Sequence, residues 1–480
     1  MQRLSLEDNL FLWLEGRQQP LHVAGLQIYS FPEGASGHFV TDLSRFMRQY
    51  STPSSPFDLR VVSRWSGNFW QTDPHFDLDH HFRHVALPRP GGVKELLSFI
   101  SAEHSNLLDR SRPMWESYLI EAVHGRHFAL YTKVHHSLMD GVSAMRLGMR
   151  MLSESPDLRD MAPIWQLPPP HRDHREQPAG MVAQVRAIAH LAGEQVDSIP
   201  VVVRALYKAV QRARANPELA NLYAAPQCRL NSAITGSRRF AAQSFATGRL
   251  KSIALLTGST CNDVILAVCA AALRVYLQNS NDLPEKPLVA MVPMSLRKDD
   301  SEGGNQVAVI LANLATHKED PLQRLEIIRQ SVNEGKERFC AMTREQVINY
   351  TALTLAPTGL SVLTGLLPQL MAFNVVISNV PGPKDPCYWN GARLENMFPV
   401  SAIVNHMALN ITIISYQDRL EFGVLGCRRT LPSMQRLLHY MEQGLEELEN
   451  ALGLQGHANG NGRAAGTRRR GELKIVPEQQ

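Results

Sequence analysis

Two rhythms of apolar and polar positions run along the chain. His22–Tyr29 (HVAGLQIY) is a short, nearly continuous apolar run, and Phe128–Val134 (FALYTKV) alternates among strand-forming residues; both predict strands. Val93–Asn106 carries helical periodicity and predicts an amphipathic helix. A second region of the same kind begins near residue 240. There Asn262–Leu277 predicts a helix, with Thr260 or Asn262 as its cap. Leu288–Met294, Met407–Ser415 and Leu420–Val424 predict strands, and Ser433–Leu452 a closing helix.

Between the two regions, residues 166–178 (QLPPPHRDHREQP) have linker composition, and Met181–Arg214 reads as helices. The Gly-, Asn- and Arg-rich tail from Gly456 holds too little apolar surface to offset the entropy of ordering it, which predicts disorder. No 20–50-residue repeat and no regular strand–helix–strand alternation is present. The expected fold class is therefore α+β, a mixed α/β chain of sheets with helices packed on them. The expected division is 1–165 for a first lobe, 166–239 for a linker with basic helices, 240–455 for a second lobe and 456–480 for the tail.

Composition narrows the classes. A chain of 480 residues that is 44% hydrophobic supports two cores. A formal charge of +4 without any nucleic-acid motif argues against nucleic acid as a partner, and leaves room for attraction to anionic lipid or to a phosphate-bearing molecule. Six cysteines with no CxxC pair form no disulfide framework. The opening MQRLSLEDNLFLWLEG has acidic residues where a signal peptide needs an apolar core, so a cytoplasmic chain is expected. Ala352–Val376 is largely apolar, but Pro357, Pro368, Gly359 and Gly365 break it; two buried elements, or the wall of an apolar channel, fit better than a membrane span. Arg186, Arg204, Lys208, Arg212 and Arg214 recur among apolar residues, a pattern that serves either a solvated helix over a core or a helix on an anionic membrane surface.

The sharpest chemistry is His135-His136-Ser137-Leu138-Met139-Asp140-Gly141, between a predicted strand and a helical stretch, Val142–Leu152. Neighbouring strand residues face opposite sides, so the histidines have different jobs: one meets core or backbone, the other a cavity. An imidazole titrates near neutrality and suits general-base work. Asp140 is expected to brace the loop or orient a histidine, with Arg297 as its candidate ion partner, and Gly141 to make a sharp turn by taking a positive φ. Two other readings of the pair are metal ligation and plain core packing. Splayed rings on a strand, with no HExxH or cysteine cluster, count against the metal. A serine nucleophile lacks its GxSxG elbow, and no P-loop or GxGxxG fingerprint is present.

HHxxxDG resembles the signature of the coenzyme A-dependent acyltransferase superfamily, which includes chloramphenicol acetyltransferase and peptide-synthetase condensation domains. Further segments resemble the bacterial bifunctional wax ester synthase/acyl-CoA:diacylglycerol acyltransferases: Ser5–Leu12, Pro20–Gly25, Arg112–Glu116, Leu230-Asn231, Arg238-Arg239, Asn262-Asp263, Pro293–Arg297, Gly304–Gln306 and Ser378–Pro383. The likeness spans about residues 4–450; Met114 and Ala24 depart from the pattern in minor ways. It implies a two-lobed, chloramphenicol acetyltransferase-like fold with an interdomain tunnel. It also implies His136 as the base, His135 beside it, and Asp140 and Gly141 as loop support.

Trp115, Asn262 and Asn379 are the candidate substrate contacts. Trp115 reads more readily as a packing anchor, Asn262 as part of a helix cap, and Pro381-Gly382-Pro383 first of all as a rigid turn. The implied activity is transfer of a long-chain acyl group from acyl-CoA to a fatty alcohol or to diacylglycerol. No metal and no cofactor are expected, acyl-CoA being a substrate, and a peripheral membrane or lipid-droplet location is compatible. The alternatives are an inactive lipid-surface binding protein that kept the fold, and a condensation-type enzyme taking its acyl group from a carrier.

Overall fold

The computed structural model describes residues 1–123, 125–167, 225–295, 307–340, 358 and 371–454. The basic stretch Met181–Arg214, Arg297, the tail and most of Ala352–Val376 lie outside the described residues.

Two six-stranded sheets form the frame. In the first, Tyr388–Trp389 (β12), Ala392–Val400 (β13), His22–Ser30 (β2), His127–His135 (β7), Trp115–Val123 (β6) and Phe82–Ala86 (β5) lie side by side in that order. In the second the order is Val307–Asn313 (β10), Val289–Ser295 (β9), Val375–Val380 (β11), Leu409–Tyr416 (β14), Arg419–Cys427 (β15) and Arg238–Ala246 (β8). Gln2–Arg3 (β1), Gly67–Thr72 (β4) and Leu59–Arg64 (β3) make a small third sheet. Among the described residues the α-helices are Leu6–Leu14 (α1), Phe39–Met47 (α2), Leu78–His81 (α3), Val93–Glu103 (α4), Gly141–Arg150 (α5), Thr247–Thr257 (α6), Cys261–Gln278 (α7), Pro321–Cys340 (α8) and Arg436–Ala451 (α9). The mixed α and β architecture is the expected one.

Strand β2 shows why a run such as HVAGLQIY forms. Its Leu26 and Ile28 enter one apolar core, shared with Tyr118, Tyr131 and the α7 side of the second sheet. Its Val23 and Tyr29 enter the other, with Trp115, Leu130, Val134 and Leu147. A strand covered on both faces needs apolar residues at successive positions, and each large side chain so buried contributes roughly 1.5–3 kcal/mol. Helix α7 is apolar all round for the same reason. By length and composition it is able to cross a membrane, yet 72% of that window is buried inside the protein.

The lobes are not contiguous in sequence. Residues 388–400 leave the expected second lobe and add β12 and β13 to the first sheet, Ala24–Ser30 pairing with Arg393–Val400. Nothing local marks β13 for one sheet or the other, because its alternation suits either. At this junction Glu421 of β15 is fully buried; Ser244 Oγ of β8 donates to it at 2.5 Å and Asn396 Nδ2 of β13 at 3.3 Å. Burial pushes its carboxyl up to about 7, against the pull of those hydrogen bonds.

Candidate active site

Strand β7 pairs antiparallel with β2, placing His135 opposite His22, and the pairing ends there. His135 is completely buried. Its Nδ1 accepts the Ser137 backbone N–H at 3.1 Å and lies 2.6 Å from Ser137 Oγ. That leaves the ring hydrogen on Nε2, which faces Glu15 Oε1 at 3.3 Å. Glu15 also accepts the Leu21 N–H (3.0 Å) and Arg110 Nε and Nη2 (3.1 and 3.0 Å). Burial pulls the Glu15 carboxyl up, but His135, Leu21 and Arg110 together hold it below its ordinary value.

His136 turns the other way. Its backbone N–H donates to Leu21 O at 3.0 Å, and its ring stacks on Phe11. It forms part of the wall of a cavity between the two sheets, with Val23, Val134 and α5 on one side and Ser378, Asn410 and Thr412 on the other. It is only 8% exposed. Its Nδ1 is buried without a partner among the described residues, so Nε2 is the nitrogen left to meet a ligand. Burial, then the neighbouring His135, push its pKa down to about 4, with Asp140 pulling weakly the other way. The imidazole is neutral at cellular pH and able to take a proton.

Asp140 caps α5. Its Oδ1 accepts the Ser143 N–H and its Oδ2 the Ser143 hydroxyl, both at 2.9 Å. It braces the loop and does not hydrogen-bond the imidazole. Gly141 corrects an expectation: it is the first residue of α5 in ordinary helical conformation, and the turn is made before it. An added Cβ there would meet only Val23 at 3.8 Å, so the missing side chain leaves space in the cavity wall and no strained φ is involved.

The wax ester synthase/diacylglycerol acyltransferase catalytic-domain model matches residues 4–265, and the C-terminal domain model matches 303–449. The chain belongs to this family. The "O-acyltransferase WSD" of Acinetobacter baylyi is 46% identical over 93% of this chain and 97% of its own length. Mycobacterium tuberculosis "Probable diacyglycerol O-acyltransferase tgs2" is 41% identical over 93% and 98%. The structure of the wax ester synthase/diacylglycerol acyltransferase from Marinobacter aquaeolei VT8 superposes with a TM-score of 0.80 at 51% identity, covering 94% of this chain and all of the other. A condensation domain of the calcium-dependent antibiotic synthetase shares the fold at a TM-score of 0.52 and 15% identity, covering 93% and 95%.

Not every residue singled out from the family motifs reaches the cavity. Trp115 is fully buried in the core: its indole N–H donates to Phe57 O at 2.8 Å, and its ring stacks on His81 and Trp165. It is a packing anchor. Asn262 sits in the first turn of α7, where Thr260 is the cap and Asp263 completes a capping box; Asn262 is not in the cavity wall, and its Nδ2 has no partner among the described residues. Asn379 is exposed on β11, while Ser378 and Val380 on either side line the cavity. The SNVPGP block does reach the site, through the residue beside the one expected. Among the described residues no three His, Cys, Asp or Glu side chains cluster to hold a metal ion.

The sequence reading missed Phe11, Glu15, Gln27, Ser378, Asn410 and Thr412. Phe11 and Glu15 lie in the SLEDNLFLWLEG segment, and no local periodicity ties them to a histidine 120 or more residues later. Ser378 and Thr412 are register partners on β11 and β14, legible only once those strands are paired.

Proposed function

We propose that this chain is an O-acyltransferase that moves a long-chain acyl group from acyl-CoA to the hydroxyl of a fatty alcohol or of diacylglycerol, with His136 as general base. The observation that carries the reading is one neutral imidazole, sealed on one edge and open on the other, in the wall of a mostly apolar cavity between two sheets. Nε2 accepts the hydroxyl proton as the oxygen attacks the thioester carbonyl. The tetrahedral oxyanion then collapses, the C–S bond breaks, and the same nitrogen returns the proton to the coenzyme A sulfur. The thioester is already activated, so no cofactor and no metal is required, and no covalent acyl-enzyme forms.

The Ser378 hydroxyl has no hydrogen bond among the described residues and faces the cavity, which suits it to donate to the oxyanion. The walls keep water from the thioester, and each buried acyl methylene adds ~0.8 kcal/mol of binding. We place the protein in the cytoplasm, peripheral to the inner membrane face or to lipid droplets, where its acceptors partition.

The test is release of coenzyme A thiol from palmitoyl-CoA with hexadecanol or with dipalmitoylglycerol, in a chelator, with the ester product identified by mass. Thiol release dependent on either acceptor is expected. No release with both would leave the inactive lipid-surface reading. Turnover only with a carrier-bound acyl group would leave the condensation-type one.

A further inference from the structure

Gln27 is a polar residue in an apolar place. It lies in the middle of β2, flanked in register by Leu130 of β7 and Met397 of β13, and all three line the cavity. Gly148 of α5 faces it; a Cβ added there would stand 3.9 Å from Gln27 Nε2. The residue is 5% exposed, and Nε2 is buried with no hydrogen-bond partner among the described residues. Leucine fills nearly the same volume without stranding an amide, so packing alone gives no reason for glutamine.

The position sets a depth. His136 is tied to Leu21 by its backbone N–H, and Gln27 is six residues further along the chain. At ~3.4 Å per strand residue that is roughly 20 Å. An extended chain advances about 1.2 Å per bond, since three bonds of extended backbone span about 3.5 Å. Allowing for the reach of both side chains, the amide meets a bound chain on the order of 10–15 bonds from the reacting carbon.

We infer that Gln27 is a polar subsite in the lipid channel, which takes a hydroxyl or carbonyl oxygen carried near the middle of a long chain. The inference rests on the acyl-transfer reading and adds a substrate class to it. A plain alkyl chain that displaces water here leaves the amide unmet. A chain bearing oxygen at this depth satisfies it. An unmade buried hydrogen bond shifts such a preference by roughly ten-fold. The oxygen is carried either by the acyl donor or by the acceptor, and the channel chemistry is the same for both.

The test measures kcat/KM on the full chain and on Gln27→Leu and Gln27→Met. The donor arm compares stearoyl-CoA, 3-hydroxystearoyl-CoA and 12-hydroxystearoyl-CoA with hexadecanol. The acceptor arm compares 1-octadecanol with 1,12-octadecanediol, using stearoyl-CoA. In one arm the ratio of 12-hydroxylated to plain substrate is expected to be about ten-fold higher in the wild type than in either variant, while the 3-hydroxy ratio is unchanged. The arm that responds identifies the chain lying against Gln27. Equal ratios in wild type and variants in both arms overturn the subsite and leave acyl transfer standing; no turnover of any thioester by the wild type removes the acyl-transfer reading itself. If neither variant folds, the wild type decides alone: a hydroxyl disfavoured as strongly at carbon 12 as at carbon 3 overturns the subsite.

Discussion

The ring of Phe11 lies against the imidazole of His136, centroids 5.0 Å apart and planes 9° from parallel. Hydrocarbon and a backbone anchor at Leu21 therefore hold this ring, while among the described residues no side-chain hydrogen bond reaches its buried nitrogen. The arrangement keeps the base dry, and dryness is what lowers its pKa.

Phe11→Ala opens a gap that water can fill. With His136 at about 4, the base form persists well below neutrality, and kcat/KM falls only as pH drops through about 4. Hydration moves the pKa towards its ordinary 6.5, so the acid limb of the pH profile climbs in Phe11→Ala. Phe11→Leu stays dry and keeps the limb where it is, with a modest loss of kcat. A pH–rate series on the three proteins checks this; identical limbs in all three refute the role given to Phe11.

The adjacent histidines separate by assay. His136→Ala is expected to lower turnover by ~10²–10⁴-fold or more, with little change in Tm, since the side chain borders a cavity. His135→Ala removes the imidazole facing the buried Glu15 and lowers Tm by several degrees, leaving measurable turnover. Thermal melts beside kcat measurements decide it, and a stable, inactive His135→Ala would reverse the assignment.

Ser378 and Asn379 form a matched pair of opposite orientation. Loss of one oxyanion donor typically costs about 10²–10³-fold in kcat. Ser378→Ala is expected to approach that loss, and Asn379→Ala, on the exposed side of β11, to stay within about two-fold of wild type. Equal losses would mean that the strand face has been misassigned.

Both histidines belong to a motif whose strand–loop–helix setting is visible in the apolar pattern, so their divergence follows from alternation alone. Alternation also separates Ser378 from Asn379, but it does not say which side of β11 faces inward. That depends on β9 and β14, which pair with it from distant parts of the chain. Gln27 is hidden in the same way: inside HVAGLQIY it reads as one polar interruption, and only the cavity beside it gives it meaning. Trp115 shows the converse, a motif tryptophan whose role is the packing its sequence context already favoured.

Glu421 makes stability depend on pH. Its carboxyl titrates near 7 in the fold against an ordinary 4.5, so its favourable share is complete below 4.5 and is lost as pH rises through 7. Glu421→Gln removes that loss. The Tm difference between variant and wild type is expected to widen between pH 4.5 and 7 and then level off, the stability difference behind it reaching about 3 kcal/mol at most. Melts at pH 4.5, 6 and 8 test it; a constant difference would show that the carboxyl does not titrate there.

Strand β13 places the finishing piece of the first sheet almost 370 residues after β2. While the protein is being synthesised, Ala24–Ser30 offers an open row of amides and carbonyls until residue 400 has emerged, inviting pairing with a neighbouring nascent chain. A fragment cut back to its first 340 residues would inherit that sticky border permanently.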